Sequence, residues 1–278
     1  MDPYFEQPRG VFTVLADGFR LAGRTLRGAW YVFLLTVVLY MLAGPIIIAL
    51  TGQDLGDLGL GAPPETEALV DGATAALLLG IFTLLNLFLL MWIMAILIGH
   101  MSVLAGAGSE AATRAMTAVR RVPAMVGASL VFGAAIAAVA LLSAWLLGGV
   151  LGRQTELAAA AIVVLVAVLV MFLSLAPGLA VLERLDPIRA HWRSARLVLS
   201  GWSRVLGLMA LIVGLNIALT LTLGLIVTIL FDLITPDTLS ALLAWAVNPL
   251  LGAALVLVGT GMICSLYWDL RARERAGG

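Results

Sequence analysis

Charge is what this chain lacks most. Only 12% of its 278 residues are Asp, Glu, Lys or Arg, where a soluble domain of this size carries about 25%. A surface with half the usual charge faces something other than water. Lysine is absent altogether, so all 16 basic residues are arginine, a usage expected of a GC-rich bacterial genome. Cys264 is the single cysteine, which excludes an intrachain disulfide and leaves the redox compartment unread. The two histidines, His100 and His191, stand about ninety positions apart with no HExxH, CxxC or other ligand spacing. No metal site or cofactor is expected.

What fills the chain is apolar: 62% of residues, with a mean hydropathy of +1.11. A bilayer core about 30 Å thick needs roughly 20 apolar residues of helix. Six stretches meet that length without an ionisable side chain: Ala29 to Leu50, Ala73 to Ile98, Ala124 to Leu147, Leu157 to Leu182, Val205 to Phe231 and Ala241 to Trp268. They use up most of the chain and leave no room for a soluble domain, so residues 1–278 are expected to form one transmembrane domain. The first stretch follows a long segment of mixed charge and does not read as a cleavable signal peptide.

The arginines orient the spans. Fifteen of the sixteen lie in the N-terminal segment, the loops after spans two and four, and the tail; only Arg153 falls on the other side. The opposite loops carry Asp54, Asp57, Glu65, Glu67, Asp71, Glu156, Asp232 and Asp237. Positively charged loops stay cytoplasmic, which places both termini inside, in a bacterial cytoplasmic (inner) membrane.

Each arginine-bearing segment reads as an amphipathic helix. In the first, Phe12, Leu15, Phe19, Ala22 and Leu26 recur at spacings of three and four, with Arg20, Arg24 and Arg27 on another face. In the last, Asp186 caps, Pro187 opens the helix, Ile188, Trp192, Ala195 and Leu199 form the apolar stripe, and Arg189, Arg193 and Arg196 the basic one. The middle segment is weaker: Ser109 caps, Arg114 and Arg121 lie two turns apart, Ala115, Met116 and Val119 supply a small apolar face, and Pro123 follows. The expected fold is therefore all-α and polytopic, with six transmembrane helices and three cytoplasmic interfacial helices. The unit of amphipathic helix plus helical hairpin recurs over about 11–100, 108–182 and 186–270.

Such helices lie in the headgroup plane, apolar face down. Arg20, Arg24, Arg27, Arg114, Arg121, Arg189, Arg193 and Arg196 are the candidate contacts to anionic lipid headgroups or to a partner, either another membrane protein or a second copy. Nothing points to nucleic acid.

The stretch Leu173 to Leu208 resembles the YciC family of bacterial inner-membrane proteins, and the related membrane domain fused to some glycerophosphodiester phosphodiesterases. The resemblance rests on Ala176-Pro177 near the end of span four, the acidic Glu183 and Asp186, Arg193-Ser194 with Arg196, and Gly201-Trp202-Ser203-Arg204. The ending Leu266-Tyr267-Trp268-Asp269-Leu270-Arg271-Ala272-Arg273 is similar too. It implies the six-span topology and no particular chemistry; the phosphodiesterase activity does not transfer, because that barrel needs about 250 further residues.

No span carries a charge in its middle, which counts against a proton-coupled pump. Asn216, Thr220 and Asn248 in spans five and six are the polar path of an alternative reading, a small-molecule or lipid transporter, and Asn248-Pro249 is expected to break its helix. The small residues Gly133, Ala137, Ala140, Ala144 and Gly148 mark span three for close packing. Tyr267 and Trp268 are expected in the inner aromatic belt, and Asp269 with Arg273 as an i,i+4 pair. With no catalytic constellation in sight, a non-enzymatic membrane protein engaging lipids or membrane proteins, in envelope maintenance or an accessory role, is the leading expectation.

Overall fold

The computed structural model describes residues 7–51, 72–105, 118–151, 155–211 and 237–277, with isolated positions 214, 218 and 222. Among the described residues the chain is helical and contains no strand. The elements are α1 (Val11–Gly28), α2 (Trp30–Thr51), α3 (Gly72–Leu104), α4 (Val122–Leu151), α5 (Thr155–Leu173), α6 (Ala176–Leu182), α7 (Pro187–Ser200), α8 (Trp202–Leu211) and α9 (Asp237–Gly277).

Four of the described segments are long and apolar enough to cross a membrane: 80–104, 122–143, 163–182 and 249–276. Taken together as one bent element, α1 and α2 make a fifth. Most of the stretch expected as the fifth span lies beyond α8, outside the described residues. Leu77, Ile81, Leu84, Leu85, Leu141, Leu142, Val163, Val164 and Leu165 all stand exposed on these helices. Water would penalise so much bare apolar surface, whereas lipid tails accept it.

Local sequence explains where the helices start and stop. At α7 the Asp186 carboxylate accepts the Arg189 backbone N–H at 2.9 Å, and Pro187 takes the first helical position, where its missing N–H costs nothing. Pro177 sits in the first turn of α6 and restarts the helix after a two-residue turn. Proline behaves differently in α9. The expected break at Asn248-Pro249 does not occur, because the helix runs unbroken through Pro249. Proline forfeits one backbone hydrogen bond there, while a break would strand several in apolar surroundings.

At 1.5 Å per residue, the 41 residues of α9 reach about 60 Å, roughly twice a bilayer core. Its C-terminal half is a post around which the arginine-bearing ends of the other helices assemble. The buried core lies at that end: Met91 to Met101 of α3, Val122 and Met125 of α4, Leu175 to Ala180, Leu197 and Val198 of α7, and Leu257 to Leu270 of α9. Antiparallel neighbours bring these sequence-distant segments to one end of the bundle. Among the described residues, by contrast, nothing lies within 4 Å of a Cβ placed on Gly133 of α4.

α1 packs chiefly on α9, and the crossing is close. A Cβ on Gly18 would stand 2.8 Å from Met262 Cγ and 3.0 Å from its Cα, and a Cβ on Gly261 would strike the Gly18 carbonyl oxygen. Two glycines therefore set how deeply α1 beds on α9.

Candidate functional site at the arginine-bearing end

α1 and α7 each present three faces rather than two. On α1, Val14, Asp17, Gly18, Leu21, Ala22 and Thr25 are buried against the bundle. Phe12, Phe19 and Leu26 stand exposed at successive sevens, and Arg20, Arg24 and Arg27 line a third face. At about 100° per residue the three faces are roughly 120° apart. α7 repeats the scheme with the faces in the same rotational order. Ala190, His191, Ser194, Leu197 and Val198 are buried. Ile188, Trp192 and Leu199 are exposed, and Arg189, Arg193 and Arg196 follow on the next face.

The joints that follow also match. α1 ends at Ala29 with φ −133° and ψ 40°, and α7 at Gly201 with φ −145° and ψ 33°. Each joint is one residue long and hands over to an exposed tryptophan, Trp30 or Trp202, that opens the next helix. At the first joint the chain turns by 96° between α1 and α2. If α2 stands along a membrane normal, α1 lies in the plane, its phenylalanines on one side and its arginines on the other. At the second joint, a Cβ on Gly201 would meet the terminal Leu270 Cδ2 at 2.7 Å, so glycine lets this joint sit beside α9 without displacing that methyl group.

Two polar networks tie this collar to α9. In the first, Arg9 is the hub. Its backbone N–H donates to Asp269 Oδ1 at 2.6 Å, and its guanidinium to Asp17 Oδ2 at 2.7 Å and to the Ser265 carbonyl at 2.8 Å. Its own carbonyl accepts from Arg204 and Arg273, both at 2.7 Å. Arg273 donates to Asp269 as the i,i+4 spacing predicts, at 3.0 Å, and Arg20 reaches Asp17 at 3.0 Å. Asp17 and Asp269 are 2% and 1% exposed, so protein donors such as these take the place of water around each carboxylate.

The second network centres on Arg193. It donates to Glu183 at 3.0 Å and, with both terminal nitrogens, to the Glu274 carboxylate at 2.6 Å each. This fork-to-fork pairing with Glu274, with Glu183 alongside, holds the guanidinium charged far beyond its ordinary range. Tyr267 Oη donates to Glu183 at 3.1 Å and accepts from Arg271 at 2.7 Å. The expected aromatic belt at Tyr267 and Trp268 is corrected here: both are buried, at 1% and 3% exposure, because α7 and α1 wrap this part of α9. Among the described residues, the aromatic side chains exposed at this end are Phe12, Phe19, Trp30, Tyr31, Trp192 and Trp202.

The candidate arginines divide accordingly. Arg24, Arg27 and Arg196 are exposed and form no ion pair among the described residues. Arg20 and Arg189 are exposed but paired within their own helices, with Asp17 and Asp186. Arg193 interlocks α7 with Glu183 in the preceding turn and Glu274 of α9 rather than standing as a free headgroup contact. Arg121 is half-buried at the start of α4, and Arg114 lies outside the described residues. So do Asn216, Thr220 and the side chain of Asn248, which leaves the polar path without a structural account.

Sequence reasoning passed over Arg9, Asp17, Glu183 and Glu274 as partners. The signal was an aspartate and a glycine interrupting the Val14, Leu21, Thr25 face of α1, a place where exposure to solvent would not require either. Among the described residues no cluster of His, Cys, Asp and Glu is arranged to hold a metal ion. The chemistry on display is that of guanidinium groups beside apolar and aromatic surface.

Compared with protein families, curated proteins and solved structures, the chain matches none.

Proposed function

We propose that the chain is a non-enzymatic, polytopic protein of a bacterial cytoplasmic membrane, whose collar of in-plane amphipathic helices engages anionic lipid headgroups and, through them or beside them, other membrane proteins. The reading includes six spans, both termini cytoplasmic, and three units of amphipathic helix plus hairpin. It also includes kinship with the YciC-like group, whose motif residues have evident work here: Gly201 admits Leu270, Trp202 stands exposed, and Arg204 holds the Arg9 carbonyl.

The observation that carries it is the shared design of α1 and α7. Two helices far apart in sequence present protein, apolar and basic faces in the same order. Both end in the same backbone joint with an exposed tryptophan. A helix in water has no use for an exposed Phe12, Phe19, Ile188 and Trp192 beside a row of arginines, whereas the headgroup plane satisfies both faces at once. Each arginine near an anionic surface contributes about 1 kcal/mol, so a collar of this kind adds up.

The test has two parts. Reporter fusions at the C-terminus and within residues 52–71 should report opposite sides of the membrane, with the C-terminus inside. Protein purified from native membranes should retain anionic phospholipid well above its bulk share. A C-terminus on the outer side, or co-purified lipid of bulk composition, overturns the reading.

A further inference from the structure

The three arginines of α7 are not equivalent, and a depression beside them shows what the difference is for. Between α7 and the turn that precedes it lies an open hollow of about 230 Å³, lined by Glu183, Leu185, Arg189, Trp192, Arg193 and Arg196. Its volume equals that of roughly eight water molecules, enough for a phosphate and the atoms bonded to it. We propose that this hollow seats the headgroup of a single anionic phospholipid, held as a phosphodiester monoanion between Arg189 and Arg196. The proposal rests on the reading that α7 lies at the membrane surface, and it adds a discrete site to a general collar.

Arg193 and Glu183 form the floor. Glu183 would repel an anion if its charge were bare, but Arg193 and Tyr267 both donate to it. Arg193 in turn is locked by Glu274 and has no freedom to leave. The floor is thus a rigid, nearly neutral platform. The working cations are on the rim.

Arg189 and Arg196 stand seven residues apart, about 10 Å along the helix, so one phosphate between them is within reach of both side chains. Arg196 is exposed and forms no ion pair among the described residues. Arg189 is 80% exposed, and its i,i+3 pair with Asp186 is a solvent-exposed one that exchanges readily for a phosphate oxygen.

Two features select the ligand class. The carboxylates of Glu183 and Glu274 lie within the same cluster, so the local excess of positive charge is small and suits a monoanion better than a phosphomonoester dianion. Trp192, 76% exposed, and Leu185 give the hollow an apolar wall that continues into Ile188 and Leu199. A free phosphate has no use for that wall. A lipid does, since its glycerol and acyl chains leave the phosphate along an apolar path.

The experiment uses the full chain in nanodiscs of phosphatidylcholine containing graded phosphatidylglycerol, with bound lipid counted by native mass spectrometry. The wild type should retain one phosphatidylglycerol tightly. Arg189→Gln with Arg196→Gln should weaken that retention on the order of tenfold, and Trp192→Ala should weaken it while leaving every charge in place. Arg24→Gln with Arg27→Gln, on α1, should leave it unchanged. Soluble glycerophosphoglycerol and inorganic phosphate at millimolar concentration should not displace the lipid. Retention unaffected by both α7 variants overturns the site, as does displacement by either soluble phosphate. Equal loss from the α1 and α7 double variants also overturns the site but leaves the collar reading standing. No enrichment of phosphatidylglycerol on the wild type removes the collar reading and the site together.

Discussion

Adding one methyl group at Gly261 tests how α1 is held. The new Cβ would collide with the Gly18 carbonyl oxygen and lie 3.3 Å from the Gly18 carbonyl carbon and 3.5 Å from the Ala22 nitrogen. All three are helical backbone atoms, so no rotamer change relieves the contact, and α1 must lift from α9 by roughly 1 Å. Overpacking of that kind costs about 1–3 kcal/mol. The lift also strains Arg9, whose bonds to Asp269 and Ser265 of α9, at 2.6 and 2.8 Å, cross this interface. Losing one of them leaves a buried polar group short of a partner, worth about another 1–3 kcal/mol. Against this, Gly→Ala in a helix gains about 1 kcal/mol. The net expectation for Gly261→Ala is a loss of about 1–5 kcal/mol. Gly259, two residues earlier on α9, is the internal control, since nothing lies within 4 Å of a Cβ placed there. Gly259→Ala should be neutral or slightly stabilising. The assay is thermal aggregation of detergent-solubilised protein, followed by size-exclusion chromatography, with thiol labelling of a Val14→Cys reporter on the buried face of α1. If the two alanine variants melt alike, or if Gly261→Ala leaves the Val14 position protected, the glycine crossing does not hold α1.

Three further outcomes follow from the networks and the turn. Asp269→Ala should cost about 1–3 kcal/mol, since it leaves the Arg9 backbone N–H without its acceptor and Arg273 without its carboxylate; thermal stability unchanged from wild type would show that the pocket rehydrates freely. Arg193→Ala should lower stability by about 1–3 kcal/mol and loosen the C-terminal end of α9 to proteolysis, whereas Arg189→Ala should stay within about 0.5 kcal/mol; equal effects would refute the distinction between floor and rim. Arg184 adopts φ 57°, the left-handed conformation that side chains resist. Arg184→Gly should therefore raise the melting temperature, corresponding to about 0.5–1 kcal/mol, and a lower one would mean that the Arg184 side chain makes a stabilising contact.

The difference between what was legible and what was not shows most clearly on α1. Its arginine row at 20, 24 and 27 follows from helical periodicity alone. The apolar stripe through Phe12, Leu15, Phe19, Ala22 and Leu26 was read as a single face, but the structure divides it. Ala22 turns to the bundle with Val14 and Leu21, while Phe12, Phe19 and Leu26 face outward. Periodicity reports which residues share a side of a helix and is silent about what that side meets. Asp17 and Gly18 were unreadable for the same reason. An aspartate beside a glycine looks like a solvated turn until α9 supplies Met262 against the glycine, and Arg9 reaches across to the carboxylate.

Tyr267 and Trp268 illustrate the opposite error. An aromatic pair next to an Asp and two arginines has the composition of an interfacial belt, and only the wrapping of α1 and α7 around α9 shows that the pair is core. Proline lacks an N–H, so the sequence at Pro249 predicts a break. The cost of leaving further backbone groups unbonded in apolar surroundings decided for continuity instead.

Sequence by itself determined the scarcity of charge, the long apolar helices and the cap at Asp186, because composition, apolar runs and a helix cap are all properties of the chain that need no tertiary contact. Tertiary structure alone decided which arginines are spent and which are available. Arg193 and Arg196 are the same residue type on the same helix, three positions apart. What separates them is a carboxylate 81 residues away in sequence, Glu274, brought within 2.6 Å of Arg193 by the path of α9. Local sequence carries no information about such an encounter, since it depends on how long helices return to one end of the bundle.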